Sequence, residues 1–387
     1  MDPRNPVDLA QALIRCPSMT PEEGGALTFI EDVLKPAGFT CHRLTMREAG
    51  TPDVENLYAR IGAGAPHVCF AGHTDVVPVG DAAAWTHPPF GAVINGGMLY
   101  GRGAVDMKGG IACFMAATLR HLAARPSRHG SISFLITGDE EGPSINGTMK
   151  VLDWMAERGE KLDAAIVGEP SNPQALGDEI KIGRRGSLNG ELVVAGRQGH
   201  VAYPNIADNP VPRLARIIDR LSSTPLDAGT PDFQASSLQF TVISVPNTAS
   251  NVIPAEARAK FNIRYNDLWR RPTVEAWVRE QCAAAANSIN AKYQVNFSGT
   301  GEVFLTKPGP LVDTMVVAVR EVTGRTPALT TAGGTSDARF IQAHCPVIEF
   351  GLVNKTIHAV DECVAVADLE ALTAIYERFL AQFFAIA

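Results

Sequence analysis

The run His67-Val68-Cys69-Phe70-Ala71-Gly72-His73-Thr74-Asp75 decides how this chain folds. A nearly continuous apolar stretch passes through one glycine into an imidazole, a hydroxyl and a carboxylate. Strands covered on both faces read this way, and parallel sheets are covered on both faces because their crossover helices lie there. Runs of the same kind occur at residues 131–137, 163–167 and 346–350, each ending in polar or glycine residues. Between the first two lies 107–124, with Ile111, Met115, Thr118, Leu119 and Leu122 at helical spacing and Asp106 where an N-cap would sit. This alternation predicts an α/β domain built on a mixed, mostly parallel sheet with helices on both faces.

The middle of the chain breaks the pattern. A strand at 187–194, a helix at 211–222, strands at 237–245 and 257–265, a helix at 274–289 and a strand at 293–297 follow the β-α-β-β-α-β order of a ferredoxin-like α+β unit. Strand and helix alternation resumes near Pro310. The expected organisation is a large domain of residues 1–181 and 298–387 that carries an inserted small domain of residues 182–297. A length of 387 residues suits about two domains on the usual prior.

Composition narrows the function. Apolar residues make up 45% and charged residues 19%, so most of the chain should fold. The net charge of -7 without a Lys/Arg block argues against a nucleic-acid partner. No apolar run reaches the ~20 residues that span a bilayer, and the N-terminus does not read as a secretory signal. The seven cysteines are scattered with no C-x-x-C pair, which predicts reduced thiols and a cytoplasmic location.

Chemistry collects at the strand ends. His73 and Asp75 stand two apart on an extended chain and so point to one side; His73 can bind metal while Asp75 orients it. Asp106 lies in Gly101-Arg102-Gly103-Ala104-Val105-Asp106, where glycines let the backbone crowd a metal. The strand at 131–137 runs into Gly138-Asp139-Glu140-Glu141-Gly142, an acidic cluster that repels itself unless cations are present. Glu169 follows the next strand and His358 follows the last. Two Zn²⁺ would bring +4, against -3 from Asp106, Glu141 and Glu169, with His73 and His358 neutral. A bridging hydroxide balances the count, and two metals roughly 3.5–4 Å apart bring the pKa of such a water toward 7. Glu140, left over in the count, is the natural general base. Cobalt or manganese could occupy the same ligands. No G-x-S-x-G elbow occurs, which argues against a serine hydrolase, and Asp106 stands where a dinucleotide fingerprint needs its third glycine.

In this order, these residues resemble the dizinc metallopeptidase and deacylase family, which includes desuccinylases, deacetylases, aminoacylases and carboxypeptidases. The resemblance spans nearly the whole chain. It is reinforced by Gly183-Arg184-Arg185-Gly186-Ser187-Leu188, Gly199-His200-Val201-Ala202-Tyr203-Pro204, Asn251-Val252-Ile253-Pro254, Gly333-Gly334-Thr335-Ser336-Asp337 and Val353-Asn354-Lys355-Thr356-Ile357-His358. It implies His73, Asp106 and Glu169 on one zinc, Asp106, Glu141 and His358 on the other, and Asp75 and Glu140 as catalytic acids. It further implies a homodimer through the inserted domain, with His200 reaching the partner's active site to stabilise the oxyanion. The implied substrate is the small anion N-succinyl-LL-2,6-diaminopimelate, with acetylornithine or a related acyl compound as the alternative. Arg184 and Arg264 are the implied forks for its carboxylates, and Ser187, Tyr203, Asn251, Gly334, Thr335 and Asn354 are similar to substrate-contacting positions. The chain departs from the family pattern at Val105 and Leu352, which flank the site and replace no ligand.

Overall fold

In the computed structural model, which describes residues 1–125 and 129–386, the apolar run at the head of the site forms the strand His67–His73 with every residue buried. Gly130–Thr137, Ala164–Val167 and Val347–Glu349 are buried along their whole length too, as expected of strands with helices on both faces. The sheet order is Thr40–Met46, Val54–Ala63, Gly130–Thr137, His67–His73, Ala164–Val167, Val347–Glu349, Glu179–Lys181, Ala328–Thr330. The central four run parallel; Thr40–Met46 and Val54–Ala63 add antiparallel pairs at one side. The fold is mixed α/β with a mostly parallel sheet.

From His67–His73 the chain crosses through the helix Lys108–Ala124 to Gly130–Thr137 on one side. It then returns through Thr148–Glu157 to Ala164–Val167 on the other side. The strand order therefore reverses at His67–His73, and such a switch point opens a crevice at the carboxyl ends of the strands. Lys108–Ala124 packs against Pro6–Ile14 and Val366–Ile386, and Phe70, Phe114, Phe134 and Tyr376 interlock between helix and sheet, with the Phe70 and Phe114 rings stacked at 4.4 Å. Burying each such ring contributes about 1.5–3 kcal/mol. The helix begins at Lys108 with Met107 as its N-cap and no capping side chain. The expectation that Asp106 sits at the cap is thus corrected: its carboxylate is turned elsewhere.

The second compact unit comprises Gly183–Leu305 and Thr331–Thr335. Its sheet order is Ser237–Ser244, Glu256–Tyr265, Gly186–Ala195, Lys292–Gly301, antiparallel throughout, which is the ferredoxin-like arrangement. Alternate residues Leu188, Leu192 and Val194 face Leu214, Ile217 and Leu221 of Pro210–Ser223 and Val274, Val278 and Cys282 of Arg271–Ser288. Gly190 is paired with Phe261, whose ring fills the place of the missing side chain; a Cβ there would lie 2.1 Å from Phe261 Cζ. A boundary at residue 298 falls inside Lys292–Gly301, and Gly183–Arg184 pairs with Phe304–Leu305. The backbone ladder therefore carries this unit to Leu305. Among the described residues no helix is long and apolar enough to cross a membrane.

Candidate metal centre

His73 ends its strand 1% exposed. Its Nδ1 lies 2.9 Å from the main-chain oxygen of Asp75 and 3.6 Å from the Asp75 carboxylate. The ring is therefore oriented chiefly by the Asp75 backbone, which leaves Nε2 facing the site. Asp75 thus holds the ring through its main-chain oxygen more than through the carboxylate that the sequence suggested. The Asp75 carboxylate holds something else: it accepts from Thr20 Oγ1 at 2.7 Å, Glu141 N–H at 3.0 Å and Glu140 N–H at 3.3 Å. It thereby ties the end of one parallel strand to the acidic loop after its neighbour.

Asp106 is the centre of the arrangement. Its Oδ1 stands 3.1 Å from His73 Nε2, which is 3.7 Å from Glu169 Oε1. Its Oδ2 stands 3.1 Å from His358 Nε2, which is 2.8 Å from Glu141 Oε1. The two oxygens of one carboxylate thus divide the donors into two sets. Donor atoms of His73, Asp106 and Glu141 lie within 4.8 Å of one another, and so do those of His73, Glu140 and Glu169. Glu140 is accordingly within reach of the His73 side as well. The Asp106 oxygens touch only the two imidazoles and do not distinguish Glu169 from Glu140; what marks Glu169 as a neighbour of His73 is its Oε1 at 3.7 Å from Nε2.

The electrostatics fit cations. Burial and the negative Asp106 and Glu140 push the Glu169 carboxyl well above its ordinary range. Burial pushes Glu140 up to about 8, reinforced by Asp337, Glu141 and Asp106 and opposed by His73. His358, hydrogen-bonded to Asp106 and Glu141, is raised to about 10. Burial disfavours charge on His73, but Asp106, Glu169 and Asp75 outweigh it and raise the imidazole well above its usual value. Against burial, the same two imidazoles hold the Asp106 carboxyl well below its ordinary range. Carboxylates concentrated this way ask for positive charge, which protonated imidazoles supply unless metal ions do.

The remaining expected residues fall in two places. Asn354 is in the large unit, its N–H donating to Asn172 O at 2.9 Å. In the small unit, Ser187 is paired with Arg264 across neighbouring strands and accepts from Asn262 Nδ2 at 3.1 Å. Arg184 Nη1 donates to Ala332 O at 2.8 Å and lies against Gly333, beside Gly334 and Thr335. His200 is exposed, in the pair Gly199–His200 with Val252–Ile253; this brings it near Asn251, whose carbonyl accepts from Val201 N–H at 3.0 Å, and near Tyr203. These two groups stand at opposite ends of Gly186–Ala195, which a rise of about 3.3 Å per residue separates by roughly 25 Å.

Sequence reading missed Glu362 and Arg102. Both are buried, paired at 2.8 Å, and bonded to the backbone of the donor loops. Glu362 follows His358 by four residues, but nothing in that spacing separates it from an exposed acid.

Residues 69–382 match peptidase family M20/M25/M40, and the chain belongs to that family. It is a metal-dependent hydrolase. A succinyl-diaminopimelate desuccinylase of Rhodopseudomonas palustris (strain BisB5) is 58% identical over 383 residues, covering 98% of each chain. Among solved structures, aminopeptidase PepT of Bacillus cereus superposes with a TM-score of 0.80 at 20% identity, covering 99% of both chains. A Bacillus subtilis protein described as a dinuclear metal-binding peptidase of the M20 family superposes with a TM-score of 0.73 at 17% identity, covering 98% of this chain and 97% of that one.

Proposed function

We propose that this chain hydrolyses N-succinyl-LL-2,6-diaminopimelate to succinate and LL-2,6-diaminopimelate, in lysine and cell-wall precursor synthesis, at a centre of two zinc ions. The observation that carries the reading is Asp106, whose oxygens face separate donor sets of one imidazole and one further carboxylate each. Such nitrogen and oxygen donors suit zinc, and cobalt in one site is compatible with them. The relative that is 58% identical over nearly its full length supports the substrate.

Bound there, the metal pair would acidify a water and polarise the scissile carbonyl. Glu140 takes the proton from that water and delivers it to the leaving amine. Burial and neighbouring carboxylates hold its carboxyl near 8 without metal, and cations draw it down into the range a base needs at neutral pH. Asp75 keeps Glu140 in place through the Glu140 and Glu141 N–H groups. Arg184 and Arg264 offer guanidinium forks for the substrate's carboxylates, with Ser187 beside Arg264. The roles of Tyr203, Asn251, Gly334, Thr335 and Asn354 as contacts belong to the same reading.

His200 is assigned to oxyanion stabilisation in a partner's site. Its Nδ1 accepts from Ala202 N–H at 3.1 Å, so the neutral ring carries its proton on Nε2 as a donor. The span of roughly 25 Å along the strand from Ser187 keeps it from the substrate forks of its own chain. A homodimer supplies the missing donor, and the edge strand Ser237–Ser244, with Val242 and Ile243 exposed, offers a surface for it. The free cysteines suit a reducing cytoplasm.

The test is a metal count on purified protein together with release of succinate. Two ions per chain and turnover of the succinylated substrate are expected. Faster turnover of acetylornithine would move the chain to the deacetylase branch, and full activity after chelation would remove the metal reading altogether.

A further inference from the structure

Behind the donor loops lies an ion pair that the reaction does not use. Arg102 is 2% exposed and Glu362 is fully enclosed. Glu362 Oε2 accepts from Arg102 Nη1 at 2.8 Å and from Gly103 N–H at 3.0 Å. Its Oε1 accepts from Val105 N–H at 2.8 Å and from Asp106 N–H at 3.1 Å. Three of its four donors are therefore main-chain groups of the loop that ends in Asp106. Arg102 reaches the opposite way, to the carbonyls of Ala359 at 3.2 Å, His358 at 3.4 Å and Pro78 at 3.4 Å. His358 has φ +60, a left-handed conformation that is uncommon for a residue with a Cβ.

We propose that the Arg102–Glu362 pair is a positioning device joining the loops of Asp106 and His358, and that it governs metal affinity of the Asp106–Glu141–His358 set more than of the His73–Asp106–Glu169 set. The proposal rests on the dinuclear reading. Both loops that the pair clamps supply donors to the first of these sets. The other set takes Asp106 from a clamped loop and is otherwise touched only at Pro78, five residues beyond His73; His73 itself is held by the Asp75 backbone, and Glu169 follows a different strand. A buried ion pair is weak evidence for added stability, since apolar replacements are often neutral. What the guanidinium contributes is direction: a planar fork that holds one carboxylate and several carbonyls at fixed angles.

The decisive experiment titrates metal-free, full-length protein with zinc against a chromophoric chelator, for wild type, Arg102→Met and Arg102→Lys. Both substitutions leave Glu362 its three main-chain donors. His358→Ala identifies which ion depends on the Asp106–Glu141–His358 set. Arg60→Met, which breaks the half-buried pair with Glu160, controls for general loss of packing. Wild type should take two ions. Arg102→Met should weaken the ion that His358→Ala abolishes by about 10–100-fold, the usual effect of removing a partner of a metal ligand. The other ion should stay within about threefold, Arg102→Lys should be intermediate, and Arg60→Met should keep both. Equal weakening of both ions, or of neither, overturns the proposal while leaving the dinuclear reading intact. One ion or none in wild type overturns both. If Arg102→Met does not fold, Arg102→Lys decides by the same comparison.

Discussion

Replacing Asp75 by asparagine removes one oxygen from a carboxylate that ties three segments together. Thr20 Oγ1 and Glu141 N–H donate to Oδ2, at 2.7 and 3.0 Å, and Glu140 N–H donates to Oδ1 at 3.3 Å. An amide has a single oxygen. Turned toward Thr20 and Glu141, it points its NH₂ at the Glu140 N–H, donor against donor. Turned the other way, Thr20 can rotate its hydroxyl to accept, but the Glu141 N–H cannot. One main-chain donor of the acidic loop is orphaned in either orientation, and losing a hydrogen bond to a charged group costs about 1.5–3 kcal/mol. The loop that carries Glu140 is loosened with it, and a misplacement of about 1 Å at a reacting group costs about 10²-fold in rate. Asp75→Asn should therefore lower kcat about 10²-fold with KM little changed, and lower the stability of the metal-free protein by about 1.5–3 kcal/mol. Steady-state succinate release and urea unfolding measure the two effects. A variant with parental kcat and parental stability refutes the assignment of Asp75 to this loop.

Glu140→Ala should retain its metal ions and lose about 10²–10⁴ in turnover, the size of a general-base contribution; metal analysis beside kcat checks it, and unchanged turnover contradicts the role. Metal loading should release protons, because His73, His358 and Glu169 are all raised above their ordinary values and ligands bind deprotonated. Titration calorimetry at pH 7 in buffers of different ionisation enthalpy should find net proton release on loading, and affinity that rises with pH; uptake of protons would contradict the electrostatics. In the metal-free protein the folded pKa of His358 is raised from 6.5 to about 10, so its contribution to stability is complete below 6.5 and is lost as pH rises through about 10. Unfolding curves across that window should show the decline, and His358→Ala should remove it.

The sequence made the central strands readable because burial on both faces leaves an unmistakable apolar run, as at His67–His73 and Gly130–Thr137. The flanking strand Thr40–Met46 alternates between exposed and half-buried residues and carries no such signal. Glu179–Lys181 and Ala328–Thr330 are three residues long, too short for any period to register. The donors were readable as a pattern of acids and imidazoles after successive strands. Their supports were not: Arg102 and Glu362 act by satisfying backbone groups of segments far away in sequence, and a hydrogen bond to a main-chain N–H leaves no mark on the residue that donates it. The same reason hid the extent of the small unit. Thr331–Thr335 joins it through contacts such as Arg184 with Ala332, so the Gly333–Asp337 motif is shared between both units.

One asymmetry of the site bears on how it fills and empties. The His73 side chain is 1% exposed, whereas that of His358 is 47% exposed. If two ions are bound as proposed, the one held by His358 has a ligand open to water, whereas the one held by His73 has its imidazole behind packed protein. A chelator should then strip the His358-side ion before the His73-side ion, with a half-filled species accumulating in between. Preparations that differ only in dialysis history would then differ in specific activity, and brief soaking with a second metal would yield mixed-metal enzyme with the replacement confined to the His358 side.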